Sequence, residues 1–258
     1  MNEKIENIVS GFTPISLHQM RGIKLMNRSD TKYVTHQNNL EELLRRATES
    51  YCIQEIDGIR ISNYQTLYYD TPDNNMFLIH HNGKKTREKV RVRTYADTSV
   101  SFFEVKKKDN KGRTHKSRIE TDSFLSSKEK ELVEFIQAHT EYDYEKLTGC
   151  IKNDFNRITL VNKLKTERVT IDFNIRFYNF QTHTERELSN VVIIELKRDG
   201  DTFSPIVDVL LDMRIHPSNI SKYCIGSLLT NQSLKHNMFK KQLMHIDKLT
   251  NYSHGFTF

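Results

Sequence analysis

Arginine and lysine recur at every second residue through REKVRVRTYADTSVSFFEVKKKDNKGRTHKSRIE, residues 87–120. Arg87, Lys89, Arg91 and Arg93 alternate with Val90 and Val92. After a turn at 96–99, Phe102, Glu104, Lys106 and Lys108 keep the same period, and after DNKG so do Lys116, Arg118 and Glu120. Successive side chains of a strand point to opposite faces, so this period predicts three short strands sharing one cationic face, with Lys107 on the other side. An ordinary half-solvated sheet is the plain reading of any one strand. The density of like charge argues against it. Two unit charges ~4 Å apart repel by ~4 kcal/mol at an effective dielectric of ~20, and like charges opposite one another weaken a ladder. A face kept this cationic predicts a ligand with several negative charges, a polyphosphate or a nucleic acid.

The same pattern returns elsewhere. Asp30, Lys32 and Val34 share a face of MNRSDTKYVTH, and Arg157 and Thr159 stand opposite Ile158 and Leu160. In ERVTIDFNIRF, Arg168, Thr170, Asp172, Asn174 and Arg176 form one face and Val169, Ile171, Phe173 and Ile175 the other. Glu195 and Lys197 face away from Ile194 and Leu196. Glu195 is a hard oxygen donor suited to Mg²⁺ or Mn²⁺, with Glu104 and Asp172 as second candidates; the plain alternative is that it neutralises Lys197. The familiar phosphate motifs are missing: there is no G-x-x-x-x-G-K-[ST], G-x-G-x-x-G, H-R-D or D-F-G. Nor is there an H-E-x-x-H, and His80–His81 reads as a loop pair.

The elements that must position these residues follow from periodicity. Leu40, Leu43, Leu44 and Ala47 recur at helical spacing behind Asn38 or Asn39 as a cap. NYQTLYYD reads as an aromatic strand, and a short helix is predicted around 76–81. SSKEKELVEFIQAHT reads as an amphipathic helix with Ser126 and Glu129 as a capping box, and the chain from Pro217 onward reads as helical. The 258 residues carry a net charge of +6, 36% hydrophobic residues, 9 glycines and 4 prolines, with no repeat or linker. These features predict one domain over 1–258, a core at about 10–230 and a helical segment at 231–258. Cys52, Cys150 and Cys224 show no disulfide or zinc spacing, and no apolar run approaches membrane-spanning length. The expectation is a cytoplasmic protein without a membrane segment of its own. The fold class expected is α+β, with strands forming either a sandwich or a closed barrel.

Four ordered segments resemble one family: RSDTKYV (28–34), RVRTY (91–95) with FFEVKKK (102–108), RVTID (168–172) with IIELK (193–197), and SKY (221–223). Together they are similar to the catalytic VTC domain of polyphosphate polymerases, in the triphosphate tunnel metalloenzyme superfamily. The resemblance implies a closed antiparallel β-barrel, a tunnel with a charged lumen and peripheral helices. It implies catalytic roles for Lys32, Arg91, Arg93, Lys106, Arg157, Arg168 and Lys222, and a metal at Glu195. Lys116 or Arg118 fills one further basic position; Lys89, Lys108, Lys197 and Ser221 complete the expected substrate-binding set. The activity implied is transfer of the γ-phosphoryl of ATP onto inorganic polyphosphate with Mn²⁺ or Mg²⁺. The E-x-E-x-K motif of the triphosphatase branch is missing, as are the sensing and transmembrane regions of eukaryotic VTC subunits, so a membrane partner would be a separate chain. A triphosphatase and a non-catalytic polyphosphate- or RNA-binding module are the alternatives. Nucleic acid is disfavoured because the aromatic residues are expected opposite the cations rather than beside them.

Overall fold

The alternation of the sequence becomes a long antiparallel path of strands. In the computed structural model, which describes residues 3–21, 28–121, 129–200, 202–251 and 255, the elements in chain order are α1 (Glu3–Ser10), β1 (Thr13–Ser16), α2 (Leu17–Arg21), β2 (Arg28–His36), α3 (Leu40–Ala47), β3 (Tyr51–Glu55), β4 (Ile61–Asp70), α4 (Asn75–His81), β5 (Arg87–Tyr95), β6 (Val100–Lys108), β7 (Thr114–Thr121), α5 (Glu129–His139), β8 (Thr148–Asn162), β9 (Glu167–Asn179), β10 (Thr184–Leu188), β11 (Val191–Asp199), α6 (Pro205–Asp212), α7 (Lys222–Thr230) and α8 (Lys240–Thr250). The sheet runs β2-β11-β9-β8-β4-β5-β6-β7, with β10 beside β9, β3 beside β8, and β1 parallel to β3. His80 and His81 close α4 rather than forming a loop. The Ser126 end of the predicted capping box lies outside the described residues.

The expected closed barrel is not what forms. β2 and β7 end the path and do not pair with each other. At the outer edge of β2, Tyr33 bridges to Pro217, and the Ser218 amide donates to the Lys32 carbonyl at 2.7 Å. At Lys32–Tyr33, backbone groups that a closing strand would need are therefore used by the 217–218 segment. β7, at the far edge, carries a largely exposed row including Lys116 and Arg118, the charged kind of edge that resists further pairing.

One face of the sheet is apolar. Tyr33, Ile158, Leu160, Val169, Ile171, Ile194 and Leu196 pack there with Leu40, Leu43, Leu44 and Ala47 of α3, the helical stripe the spacing predicts. Asn39 precedes that helix without a side-chain cap bond and donates instead to the Thr35 hydroxyl at 2.7 Å. Val90, Val92, Phe103 and Val105 pack with Leu132 and Ile136 of α5.

The alternation of β9 breaks where the sequence looks most regular. Asn174 has φ 53°, and the pairing with β8 shifts there, so that three steps of β9 oppose two of β8. Such a bulge moves every later side chain to the opposite face. Phe173 stays in the α3 core, but Ile175 and Phe177 turn inward to meet α7 and α8. Arg176 turns out to solvent and pairs with Glu187 at 3.3 Å. As a result the inner face is divided. Val34, Phe155, Ile175, Phe177, Val191 and Ile193 bury one part of it beneath α7 and α8, and the charged residues occupy the rest. α7 is thus not peripheral: it sits against the same face that carries the cations. Gly226 allows this approach, since a Cβ there would collide with the Phe177 ring.

Candidate functional site: a cationic trough

Register turns the predicted charge pattern into rows. Lys89, Lys106 and Lys116 stand directly opposite one another across β5, β6 and β7. The next row is Arg91, Glu104 and Arg118; the next is Arg93, Phe102 and Glu120. On the other wall, Lys32 is opposite Glu195 and Glu195 opposite Thr170; Lys197 is opposite Asp30 and Arg168; Asp172 is opposite Arg157.

The two walls face each other because the sheet curls. Lys32 of β2 donates to the Ile220 carbonyl at 2.9 Å, and Lys89 of β5 donates to the Ser221 hydroxyl at 2.8 Å, so strands far apart in the path meet at one segment. Lys222, the first residue of α7, bonds Asp172 of β9 and lies 4.4 Å from the Phe155 ring centre. Lys106 on one wall feels the charge of Glu195 on the other. All fourteen residues predicted from sequence therefore lie on or beside one trough. Lys116 and Arg118 are at its exposed rim, and Lys108 is opposite Arg87 at one end.

Three carboxylates already hold several of these cations. Glu104, fully buried, bonds Arg91 at 2.6 Å and also Lys116. Asp172 accepts from Arg157 at 2.5 and 2.7 Å, the bidentate geometry guanidinium favours, and from Lys222. Glu195 bonds Lys197 at 3.1 Å, so the plain reading of this residue is realised geometrically. Burial alone would raise all three carboxyls. Arg91 and Arg93 instead bring Glu104 down to about 2, and Arg157 and Lys222 bring Asp172 down to about 2. Lys197, Lys32 and Arg157 likewise depress Glu195.

Lys106 and Arg93 are among the trough cations without such a carboxylate partner in the described residues. Lys106 makes no ion pair among the described residues, and its pKa is held well below the usual lysine value by the Arg91 charge, then by burial and by Arg93. Arg93 donates to the Thr66 hydroxyl at 3.4 Å and lies over the Tyr64 ring, 5.6 Å from its centre. Lys107, by contrast, points away from the trough to Glu88 at 2.8 Å and Glu141 at 3.0 Å.

Aromatic residues overturn one expectation. Tyr64, Tyr68, Phe102 and Phe155 lie among the cations, not opposite them: Arg157 is 4.8 Å from the Tyr64 ring centre and Arg118 is 4.5 Å from that of Phe102. The buried Tyr68 hydroxyl would be raised by burial, yet Arg91, Arg93, Lys89 and Lys222 lower it. The signal was present as Tyr64, Thr66 and Tyr68 at period two in NYQTLYYD. Aromatic content alone, without the face, does not reveal it.

No three His, Cys, Asp or Glu side chains among the described residues converge to cage a metal ion. The donor set fits a different arrangement. Glu195 is an ionised oxygen donor, and one carboxylate plus phosphate oxygens is how Mg²⁺-type sites are commonly completed.

The sequence profile described as the VTC domain matches residues 27–231. Among solved structures, a putative adenylate cyclase from Vibrio parahaemolyticus is similar at 11% identity, with a TM-score of 0.46, covering 78% of this chain and 99% of that one. A putative adenylyl cyclase from Hippeastrum, described as having a dominant triphosphatase activity, gives 13% identity, a TM-score of 0.43 and coverage of 78% and 95%. The PH1819 protein of Pyrococcus horikoshii gives 12%, 0.41, 76% and 97%. A search of curated proteins finds no match.

Proposed function

Because this chain belongs to the VTC-domain family, we propose that it is a metal-dependent polyphosphate polymerase, moving the γ-phosphoryl of ATP onto a phosphate chain. Family membership supports activity on polyphosphate or triphosphate; the choice of polymerase is our reading. The observation that carries it is a trough in which Lys106 and Arg93 have no carboxylate partner among the described residues, beside cations held by Glu104, Asp172 and Glu195. Neutralised cations set the shape, and uncompensated ones attract a polyanion.

In this reading Lys89, Lys106, Arg91 and Arg93 orient the triphosphate and spread the charge of the transferring group. A terminal oxygen of the phosphate chain forms a bond to the γ-phosphorus while the bond to the β–γ bridging oxygen breaks, and ADP leaves. That attacking oxygen is already ionised, so neither a protein nucleophile nor a general base is required. Glu195 would hold the divalent cation, whose charge stabilises the phosphate oxygens during transfer. Lys32, Arg157, Arg168, Lys197 and Lys222 belong to the opposite wall and are assigned to the polyphosphate.

Incubation of the purified chain with γ-labelled ATP and Mn²⁺, followed by gel electrophoresis, tests the proposal. A ladder of labelled polyphosphate is expected. Free phosphate alone would make the chain a triphosphatase, and unchanged ATP a binding module.

A further inference from the structure

The trough wall built by β4–β7 differs at its two ends. At one end Arg87 stands opposite Lys108, with Lys84 and Lys85 in the preceding turn. At the other, Tyr95 stands opposite Tyr64 and Val100, and Phe102 opposite Glu120. Phe102 meets Tyr95 edge-on at 6.0 Å between ring centres, and Tyr95 meets Tyr64 at 5.0 Å. Phe102 and Tyr95 are partly exposed, whereas Tyr64 and Phe155 are buried. Arg118 lies across Phe102 and makes no ion pair among the described residues. Asp97 and Glu120 are the acidic residues at this end, so beside Arg93 and Arg118 it carries less net positive charge than the Lys89–Lys106–Lys116 row.

We infer that this end is a nucleobase platform: the base of a nucleoside triphosphate stacks on the Phe102–Arg118 pair beside Tyr95 while its phosphates run inward along the cationic rows. Three features support the assignment, which rests on the proposed use of a nucleotide donor. First, Lys106 and Phe102 share a strand face four residues apart, about 13 Å at ~3.3 Å per residue. That is the separation that ribose and an extended triphosphate must span between base and terminal phosphate. Second, an aromatic ring capped by a guanidinium offers a flat, polarisable surface, the kind on which bases stack. Third, the fall in positive charge from the Lys89–Lys106–Lys116 row to the Arg93–Phe102–Glu120 row orients a ligand that is anionic at one end and neutral at the other. A uniform polyanion gains nothing from it.

The test compares ATP with inorganic tripolyphosphate, which shares the phosphates and lacks the base. Binding of each is measured by calorimetry without metal, for wild type and for Phe102→Leu. The variant is expected to weaken ATP about tenfold, the lower range for loss of one base stack, and to leave tripolyphosphate within twofold. An ATP affinity unchanged by Phe102→Leu, or an equal loss for both ligands, overturns the platform while leaving the proposed function standing. Failure of wild type to bind either ligand overturns the proposed function itself. Should Phe102→Leu fold poorly, ethenoadenosine triphosphate read on wild type replaces it. Its base fluorescence is quenched by stacking if the platform exists, and its intensity matches the free nucleotide if it does not.

Discussion

At the scale of single residues, Lys106 and Lys107 separate function from stability within one strand. Lys106→Met removes an uncompensated charge that Arg91 and Arg93 repel. The ligand-free protein should melt about 2–4 °C higher, the equivalent of ~1 kcal/mol in a domain of this size, while turnover falls at least ~10²-fold, the scale of losing a strong electrostatic stabiliser. Lys107→Met should leave turnover within twofold and cost up to ~1 kcal/mol, because it releases Glu88 and Glu141 from a partly exposed pair. Scanning calorimetry and an initial-rate assay read both; the reverse ranking would place the wrong lysine in the trough. Glu195→Gln distinguishes holding a metal from holding the anion. Removing a negative charge beside Lys32 and Lys197 should leave metal-free tripolyphosphate binding unchanged or tighter, with Mn²⁺-dependent turnover down ~10²-fold. Full turnover in that variant would transfer the ligand role to Glu104 or Asp172. The cations were legible because a period of two needs no tertiary knowledge. Their partners were not: whether Asp172 meets Arg157 and Lys222, or Glu104 meets Lys116, depends on cross-strand register and on where α7 starts.

At the scale of elements, the α3 stripe, the β5–β7 strands and the position of Glu195 follow from local patterning. The division of the inner face does not. It turns on one residue, Asn174, whose left-handed backbone lets a side chain with few steric demands sit where a β-branched one is strained. Asn174→Gly should be nearly neutral in stability, whereas Asn174→Val should cost ~1–3 kcal/mol, measured by urea unfolding. Equal stability of the two variants would mean that the bulge carries no strain. Nothing in ERVTIDFNIRF announces the bulge, because a perfect alternation and an alternation with one inserted residue look alike until the partner strand is known. The same blindness explains α7. SKYCIGSLL reads as helical, but its burial on the cation-bearing face depends on Ile175 and Phe177 turning inward.

For the molecule as a whole, charge sets the response to acid and to ligand. Glu104 and Asp172 have folded-state values of about 2, below the ~4 of unfolded carboxyls. Their contribution to stability is fully present above that unfolded value and is lost as pH falls toward about 2. Asp70 and Glu167, raised by burial, act in the opposite sense, so the difference between wild type and Glu104→Gln isolates the effect. The melting-temperature gap between them should narrow from pH 5 to pH 2.5, and a constant gap would rule out the assignment. Tripolyphosphate at ~100 times its dissociation constant should add ~2.7 kcal/mol, roughly 5–10 °C, and less at high salt; an equal shift from AMP would count against a multi-phosphate site. The strand-rich architecture was foreseeable, but the failure to close was not, since it depends on residues 217–218 reaching the edge of β2 from far along the chain. That open edge also determines how the molecule deforms. Along the path from β2 to β7 the strands are joined by continuous backbone ladders, and sliding them apart breaks many hydrogen bonds at once. Across the mouth of the curl the walls meet through the 217–224 segment: Lys32 and Lys89 bond residues 220 and 221, and Tyr223 bonds Asp70 beside the apolar packing of α7. The two lysine bonds contribute ~1.5–3 kcal/mol each at most. The trough is therefore stiffer in shear than in width, and two of the bonds that set its width are made by lysines that a phosphate would draw toward itself.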